Sequence, residues 1–183
     1  ADGVTATVTD PSGATTSIRA RYLVGADGGR SSIRKWIGVE LDGETDAAKW
    51  LVVDVADDRF DAPYSAVYCD KDQPVLMIPL PYGHRRWEFR LQPHDDEATM
   101  TDPDHVRELL AGRYGATPLP RVVRARVYLH HSRTANRFKV GRVFLIGDAA
   151  HLQPPFFGQG MNSGMRDVTN LAWKLAAVVT GRA

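Results

Sequence analysis

The segment RVFLIGDAAH, residues 142–151, decides the fold. Its apolar first half predicts a buried strand, and this strand runs directly into Gly147 and Asp148. Ligands of open α/β sheets bind at such strand ends, where a carboxylate can accept hydrogen bonds from the hydroxyls of a sugar or a polyol. The small side chains of Ala149 and Ala150 leave space for such a ligand.

The next segment, PPFFGQGMNSGMRD at residues 154–167, predicts a stiff loop and then a glycine-flanked helix from about Gln159 to Thr180. The apolar residues of this helix step by three or four, as in an amphipathic helix; they are Met161, Met165, Val168, Leu171, Leu175 and Val178. The free backbone N–H groups and the positive dipole end at the helix start suit an anion or an electron-rich carbonyl. The alternative interpretation is a capped helix whose glycines serve packing alone.

A similar pattern, YLVGADGGRSSIR, occurs earlier, at residues 22–34. An apolar strand ends at Asp27 between glycines, which would let a ligand approach the backbone closely. A short helix follows, with Ser31 as its predicted N-cap. The alternative is a plain strand-turn-helix corner in which Asp27 only caps the turn.

The rest of the chain predicts a β-rich region between these motifs. The first residues predict a hairpin with its turn at residues 10–13, and its second strand leads into Leu23 and Val24. Residues 50–91 predict four strands of an antiparallel sheet, at 51–53, 66–68, 75–78 and 87–91. A helix from Thr101 to Tyr114, with Thr101 as the N-cap and Pro103 in the first turn, precedes a strand at residues 121–129.

The composition is that of an ordinary globular protein. Lys plus Arg is 23 and Asp plus Glu is 22, which argues against a general nucleic-acid or anionic-membrane binder. The single cysteine, Cys69, cannot form an internal disulfide, and we expect a partly buried thiol in a reducing cytoplasm. No apolar run approaches the length of a membrane span, and the first residues lack the pattern of a signal peptide.

Both motifs resemble those of the flavoprotein aromatic hydroxylases of the p-hydroxybenzoate hydroxylase type. Asp27-Gly28-x-x-Ser31-x-x-Arg34 is similar to the second fingerprint of that family, and GDAAH at 147–151 with Pro154-Pro155 is similar to the third. The likeness runs over nearly the whole chain. Within the family it is strongest to the members that hydroxylate 3-(3-hydroxyphenyl)propanoate, and its longest motifs are GQGMNSGMRD at 158–167 and NLAWKL at 170–175.

The resemblance implies a mixed α/β fold. Residues 1–46 and 132–183 would be part of an FAD-binding Rossmann-like domain, and residues 47–131 an inserted antiparallel β-sheet domain, with one helix, that binds substrate. The implied activity is FAD-dependent hydroxylation of a phenolic aromatic acid with NADH or NADPH and O2, in aromatic catabolism. A cytoplasmic location and a homodimer of the full-length family member are implied as well. The alternatives are a hydroxylase that modifies a polyketide or an antibiotic, and a non-catalytic remnant that serves as a binding module.

The resemblance also assigns residues to the cofactor, with Asp148 on the ribityl chain. The full set is Asp27, Gly28, Arg34, Gly147, Asp148, Ala149, Pro155, Gly158, Gly160, Met161 and Asn162. No side chain is assigned as an acid or a base. No metal site is predicted, since the stretch from His94 to Glu97 is expected to be a solvated loop, and His151 is expected to be a packing or capping residue.

The sequence departs from the family in one respect. The family opens with a Gly-x-Gly-x-x-Gly turn that holds the FAD pyrophosphate, and residues 25–29 (GADGG) do not have that spacing. The sequence therefore resembles a fragment, and we expect it to bind FAD weakly or not at all by itself.

The middle sheet is predicted to select the substrate. Its strands carry apolar and aromatic residues beside Arg85 and Arg86. On one strand Trp87 shares a face with Arg85, whereas Glu88 shares a face with Arg86. We therefore expect Arg85 and Trp87 to bind the acidic aromatic substrate and Arg86 to pair with Glu88.

Overall fold

The computed structural model describes residues 2–155 and 158–182, and the chain divides into two compact units. One unit contains the chain up to Thr45 and again from His131, and the other contains Asp46–His130. The predicted domain limits fall one residue from these boundaries. The functions assigned to the two domains stay predictions.

The first unit begins with the predicted hairpin, formed by β1 (Val4–Thr9) and β2 (Thr15–Ala20). The prediction that its second strand continues into Leu23 and Val24 is wrong. The strand β3 (Leu23–Gly25) instead pairs in parallel with β10 (Val143–Leu145), whose other neighbour is β9 (Lys139–Val140). The short helix α1 (Ser32–Trp36) follows β3, and Ser31 is its N-cap as predicted.

The first unit ends in β11 (His151–Leu152) and the long helix α4 (Gln159–Val179). The helix is present as predicted, but none of its residues is buried. Met161 and Met165 of the predicted apolar stripe are 70% and 56% exposed. The small buried core of this unit lies elsewhere, around Leu145, Ala149 and Ala150.

The second unit is built on the antiparallel strands of a six-stranded sheet of order β11-β8-β4-β7-β6-β5. The strands are β4 (Leu41–Ala56), β5 (Ala66–Tyr68), β6 (Val75–Leu80), β7 (His84–Arg90) and β8 (Arg121–Ala135), and β4 and β8 contain the unit boundaries. All four predicted central strands are present, and the mixed α/β class is confirmed.

The core of the second unit lies between one face of this sheet and the helix α3 (Pro103–Tyr114). Alternate residues of the strands point to this face, as the two-residue period of a strand requires. They meet Val106, Leu110 and Tyr114 of α3, and burying each large apolar side chain contributes roughly 1.5–3 kcal/mol. Strand residues of this core include Leu51, Val53, Val55, Val75, Met77, Trp87 and Phe89.

Two local predictions in this unit are wrong. The N-cap of α3 is Asp102, which accepts hydrogen bonds from the backbone N–H groups of Asp104 and His105. Thr101 instead ends an unpredicted short helix, α2 (Glu97–Met100), and its hydroxyl donates back to the carbonyl of Glu97. Cys69 is exposed and not partly buried.

Candidate functional site

The two motifs meet at the carboxyl ends of adjacent parallel strands. Leu145 of β10 lies opposite Gly25 of β3, and the Ile146 N–H donates to the Gly25 carbonyl over 3.0 Å. Asp27 and Asp148 therefore follow neighbouring strand ends. This edge is where open α/β sheets bind ligands.

The carboxylate of Asp27 is hydrogen-bonded to the first residues of α1. It accepts hydrogen bonds from the Ser31 hydroxyl and from the N–H groups of Ser32 (2.8 Å) and Ile33 (3.1 Å). Desolvation acts to raise the pKa of Asp27, but the hydrogen bonds from Ser31 and the two backbone groups outweigh it and hold the pKa below its ordinary value. Asp27 thus caps the turn, and its contact with a cofactor stays a prediction, as does that of Gly28.

Arg34 connects the two motifs. Its side chain is buried, and Nη1 donates to the Ala149 carbonyl (2.9 Å) while Nη2 donates to the Gly29 carbonyl (2.8 Å). Both bonds are charge-assisted, which makes them stronger than neutral ones. Arg34 therefore links the backbone of the first motif to that of the second.

Gly147, Asp148 and Ala149 form a tight 3₁₀ turn. Gly147 has φ +57°, a left-handed conformation that favours glycine. The Ala150 N–H closes the turn on the Gly147 carbonyl over 2.8 Å. Gly164 of α4 lies close to this turn: a Cβ added to Gly164 would stand 3.4 Å from the Cα of Gly147. Ala149 and Ala150 are fully buried in the core of this unit, so their small size serves packing, and the idea that they leave space for a ligand stays a prediction.

Asp148 differs from every other member of this segment because it is exposed. Within residues 2–155 and 158–182, its carboxylate makes no hydrogen bond or ion pair. It therefore has its full acceptor capacity available to a ligand.

The start of α4 lies after Pro155 and Gly158. Gly158 adopts φ +63°, and its N–H donates to the Pro155 carbonyl over 3.1 Å. No side chain of the described residues caps the helix; the Asn162 amide instead donates to the Gly158 carbonyl. The N–H groups of Gly160 and Met161 lie in the first turn, where an α-helix provides no intrahelical acceptor, and they contribute to the positive end of the helix. Phe156 and Phe157 lie outside the described residues.

The predicted substrate residues Arg85 and Trp87 lie inside the second unit. They share a face as predicted, but that face is the one packed on α3, and Trp87 is fully buried. Arg85 Nε donates to Asp58 Oδ2 (2.7 Å), and its Nη atoms donate to the carbonyls of Phe60 and Ala62. This guanidinium is thus saturated by its own unit, and the expectation that it binds a substrate carboxylate is corrected.

The opposite side of the sheet carries a charged group that we call the polar face: Asp54, Arg86, Glu88 and Arg124. Arg86 Nε donates to Asp54 (2.7 Å), and Arg124 Nε donates to the same carboxylate (3.0 Å), so the predicted Arg86–Glu88 ion pair is wrong. Desolvation acts to raise the pKa of Asp54, but hydrogen bonds from both arginines hold it below its ordinary value.

Glu88 is buried on the polar face. Desolvation raises its pKa, and Arg86 only partly counteracts this. Sequence reasoning missed Asp54 and Arg124. One signal was the placement of Asp54 inside a run of valines, where a carboxylate needs a partner.

Two parallel strand ends with an exposed aspartate, followed by a helix whose start has no side-chain cap among the described residues, are typical of a cofactor-binding domain of the α/β class. The family model for the FAD binding domain matches residues 1–183, and the chain belongs to this family. The resemblance inferred from the two motifs is thereby confirmed.

Among individual relatives, the chain is 53% identical over 162 residues to a 3-(3-hydroxy-phenyl)propionate/3-hydroxycinnamic acid hydroxylase of Burkholderia cenocepacia, a match covering 88% of this chain and 30% of the relative. It is 48% identical to the hydroxylase of the same name from a Mycobacterium species, over 100% of this chain and 32% of the relative. The chain thus spans about a third of the length of these relatives.

Solved structures with the same fold include aklavinone-11 hydroxylase in a complex with FAD and aklavinone. It matches with a TM-score of 0.85 and 31% identity, over 99% of this chain and 35% of that one. The p-nitrophenol 4-monooxygenase from Pseudomonas putida matches with a TM-score of 0.81 and 31% identity, over 100% of this chain and 47% of that one. No helix within the described residues is both long enough and apolar enough to cross a membrane.

Proposed function

We propose that the protein containing this chain is an FAD-dependent monooxygenase that hydroxylates a phenolic aromatic acid, with NADH or NADPH and O2 as co-substrates. The support is the family match together with relatives named as hydroxylases of such acids. A cytoplasmic location and a homodimer belong to the same proposal, and they rest on the family resemblance.

The observation that carries the proposal is the exposed carboxylate of Asp148, on a turn whose other groups are held in place. A ribityl chain offers several hydroxyl donors, and an ionised carboxylate accepts them as charge-assisted hydrogen bonds. The carboxylate of Asp27, by contrast, already accepts hydrogen bonds from the N–H groups of Ser32 and Ile33. It therefore fits a different role, that of fixing the turn before α1.

The start of α4 would complete the cofactor site. The N–H groups of Gly160 and Met161 suit the electron-rich carbonyl edge of the flavin ring, and Gly160 has open space where a Cβ would stand. When bound, FAD would supply the transfer of electrons from the nicotinamide cofactor and the activation of O2. The protein's part would be to bind the cofactor, orient the ring of the substrate and exclude water.

The polar face favours an acidic substrate over the uncharged polyketide of the alternative. Two guanidinium groups, Arg86 and Arg124, share the carboxylate of Asp54, and within the described residues neither forms an ion pair with Glu88, the second carboxylate of this face. Burial raises the pKa of Glu88, which favours its neutral form beside the two arginines. An arginine pair of this kind can hold a substrate carboxylate in a fixed orientation.

Substitution of Asp148 tests the cofactor site. In the full-length protein, Asp148→Ala should weaken FAD binding about ten- to a hundredfold, since a hydrogen bond to a charged group contributes about 1.5–3 kcal/mol. The control is Asp42→Ala, which removes another exposed carboxylate of the same unit. Fluorescence titration with FAD measures both. An unchanged dissociation constant in Asp148→Ala would remove Asp148 from the site.

The polar face is tested with a substrate acid and its methyl ester. Arg86→Met should raise the Michaelis constant for 3-(3-hydroxyphenyl)propanoate severalfold more than that for the ester. Arg107→Met, on the exposed side of α3, should change neither constant. If Arg86→Met affects acid and ester equally, the polar face does not bind the carboxylate.

A further inference from the structure

One oxygen of Asp167 joins helix α4 to both ends of the turn that carries Asp148. Asp167 Oδ2 accepts a hydrogen bond from the Gly147 N–H (2.8 Å) and lies 2.7 Å from His151 Nε2. Gly147 immediately precedes Asp148, and His151 follows it by three positions.

His151 is held in a single orientation. Its side chain is 9% exposed, and its ring lies 6.2 Å from that of Phe138. The ring therefore cannot turn freely, and its Nε2 faces a carboxylate that only accepts hydrogen bonds. This contact fits the tautomer with the hydrogen on Nε2, in which His151 donates to an ionised Asp167.

The same turn is held on its other sides by groups already described. Arg34 binds the Ala149 carbonyl, and Gly164 packs against Gly147. The positions from 147 to 151 are thus fixed except for the side chain of Asp148, which alone is exposed. Such a frame fixes the backbone from which the Asp148 side chain extends before any ligand arrives, which lowers the cost of ordering the site on binding.

We propose that Asp167 and His151 are positioning residues that orient the Asp148 carboxylate toward the ribityl hydroxyls of FAD. The inference rests on the proposed cofactor site. The Asp167 carboxylate binds the backbone N–H of Gly147, immediately before Asp148. Through its contact with His151, the same Asp167 carboxylate also anchors the segment after Asp148. Neither residue needs to touch the cofactor.

A double-mutant cycle distinguishes positioning from a general structural role. In the full-length protein, Asp167→Ala should weaken FAD binding roughly tenfold, because the backbone that carries Asp148 is no longer held in place. If Asp167 acts through Asp148, the double variant Asp148→Ala/Asp167→Ala should bind FAD no more weakly than Asp148→Ala alone. A purely structural Asp167 would instead give losses that multiply.

Two further variants separate the contacts of Asp167. Asp167→Asn keeps an acceptor oxygen, so it should restore most of the affinity lost in Asp167→Ala. His151→Phe keeps the ring packing and the Gly147 bond but removes the donor, so its loss should be intermediate. Thr169→Ala is the control, because the Thr169 hydroxyl bonds only within α4.

Hydrogen exchange provides a readout that is independent of FAD, and it applies to any variant that folds. The Gly147 amide should exchange about tenfold faster in Asp167→Ala than in the wild type, and at nearly the wild-type rate in His151→Phe. Multiplicative losses in the cycle, or an unchanged Gly147 amide in Asp167→Ala, would overturn the inference. Failure of Asp148→Ala itself to weaken binding would overturn the proposed cofactor site instead.

Discussion

Replacing Arg85 by methionine should severely destabilise the second unit without acting selectively on an acidic substrate. The Arg85 and Asp58 side chains are only 4% and 6% exposed, and they form an ion pair of 2.7 Å. Methionine fills much of the same volume. It leaves Asp58 Oδ2 and the carbonyls of Phe60 and Ala62 without the donors that serve them now.

The size of the effect follows from the fate of Asp58. Breaking a buried pair by removing one partner costs about 3–5 kcal/mol, because the remaining charge is buried and uncompensated. Asp58 keeps two hydrogen bonds, both to Oδ1, from the Tyr114 hydroxyl over 2.7 Å and from the Phe60 N–H over 3.2 Å, but Oδ2 loses its cation. With about 2–4 °C of melting temperature per kcal/mol for a chain of this size, the midpoint should fall by about 6–20 °C.

Urea denaturation followed by tryptophan fluorescence measures the change, since Trp87 lies in the same core. Arg107→Met is the matched control and should stay within about 0.5 kcal/mol, because its ion pair with Asp104 is exposed. The double variant Arg85→Met/Asp58→Asn should recover much of the loss, as it removes the stranded charge. A loss below about 1 kcal/mol in Arg85→Met would refute the assignment of a buried, coupled pair.

Two more predictions concern the backbone and the polar face. Gly43→Ala should lower the free energy of unfolding by about 2 kcal/mol or more, because Gly43 has φ +116° and an added Cβ would collide with the Ser132 carbonyl. Thermal unfolding measures this loss. The control is Gly112→Ala in α3, which should stabilise the protein slightly. Glu88→Gln should stabilise the protein more at about pH 8 than at about pH 5. A raised folded pKa means that the stability contribution of Glu88 is present below its unfolded pKa and is lost as the pH rises. Denaturation of both proteins at the two pH values measures the difference, and an equal shift at both would contradict the prediction.

The alternation along β7 could be predicted from the sequence, but its consequence could not. The two-residue period correctly separates Arg85 and Trp87 from Arg86 and Glu88. Which of the two faces becomes the core depends on where α3 packs, and this is a tertiary property. In sequence, an arginine such as Arg85 beside aromatic residues is compatible both with a ligand site and with one half of a buried ion pair. Its partner in that pair, Asp58, lies in a loop that is distant in sequence.

The helix starts show a similar limit. Ser31 caps α1 as its sequence context predicts. Before α3, Thr101 and Asp102 are both good N-caps by residue type. The choice of Asp102 follows from the presence of α2, whose last turn uses the Thr101 hydroxyl. A four-residue helix in a polar stretch carries too little periodicity to be predicted.

The two aspartates at the strand ends show why the site needed the structure. In sequence both follow an apolar strand and a glycine, so each could be a cofactor ligand or a turn cap. The difference lies in what comes next. After Asp27 a helix begins within a few residues, and its first N–H groups take the carboxylate. After Asp148 the chain makes a closed 3₁₀ turn whose N–H groups are used by Asp167 and by the turn itself, and the next helix begins only at Gln159. Within the described residues the Asp148 carboxylate accepts no hydrogen bond and is exposed, so the same local signal gives a cap in one motif and an exposed carboxylate in the other.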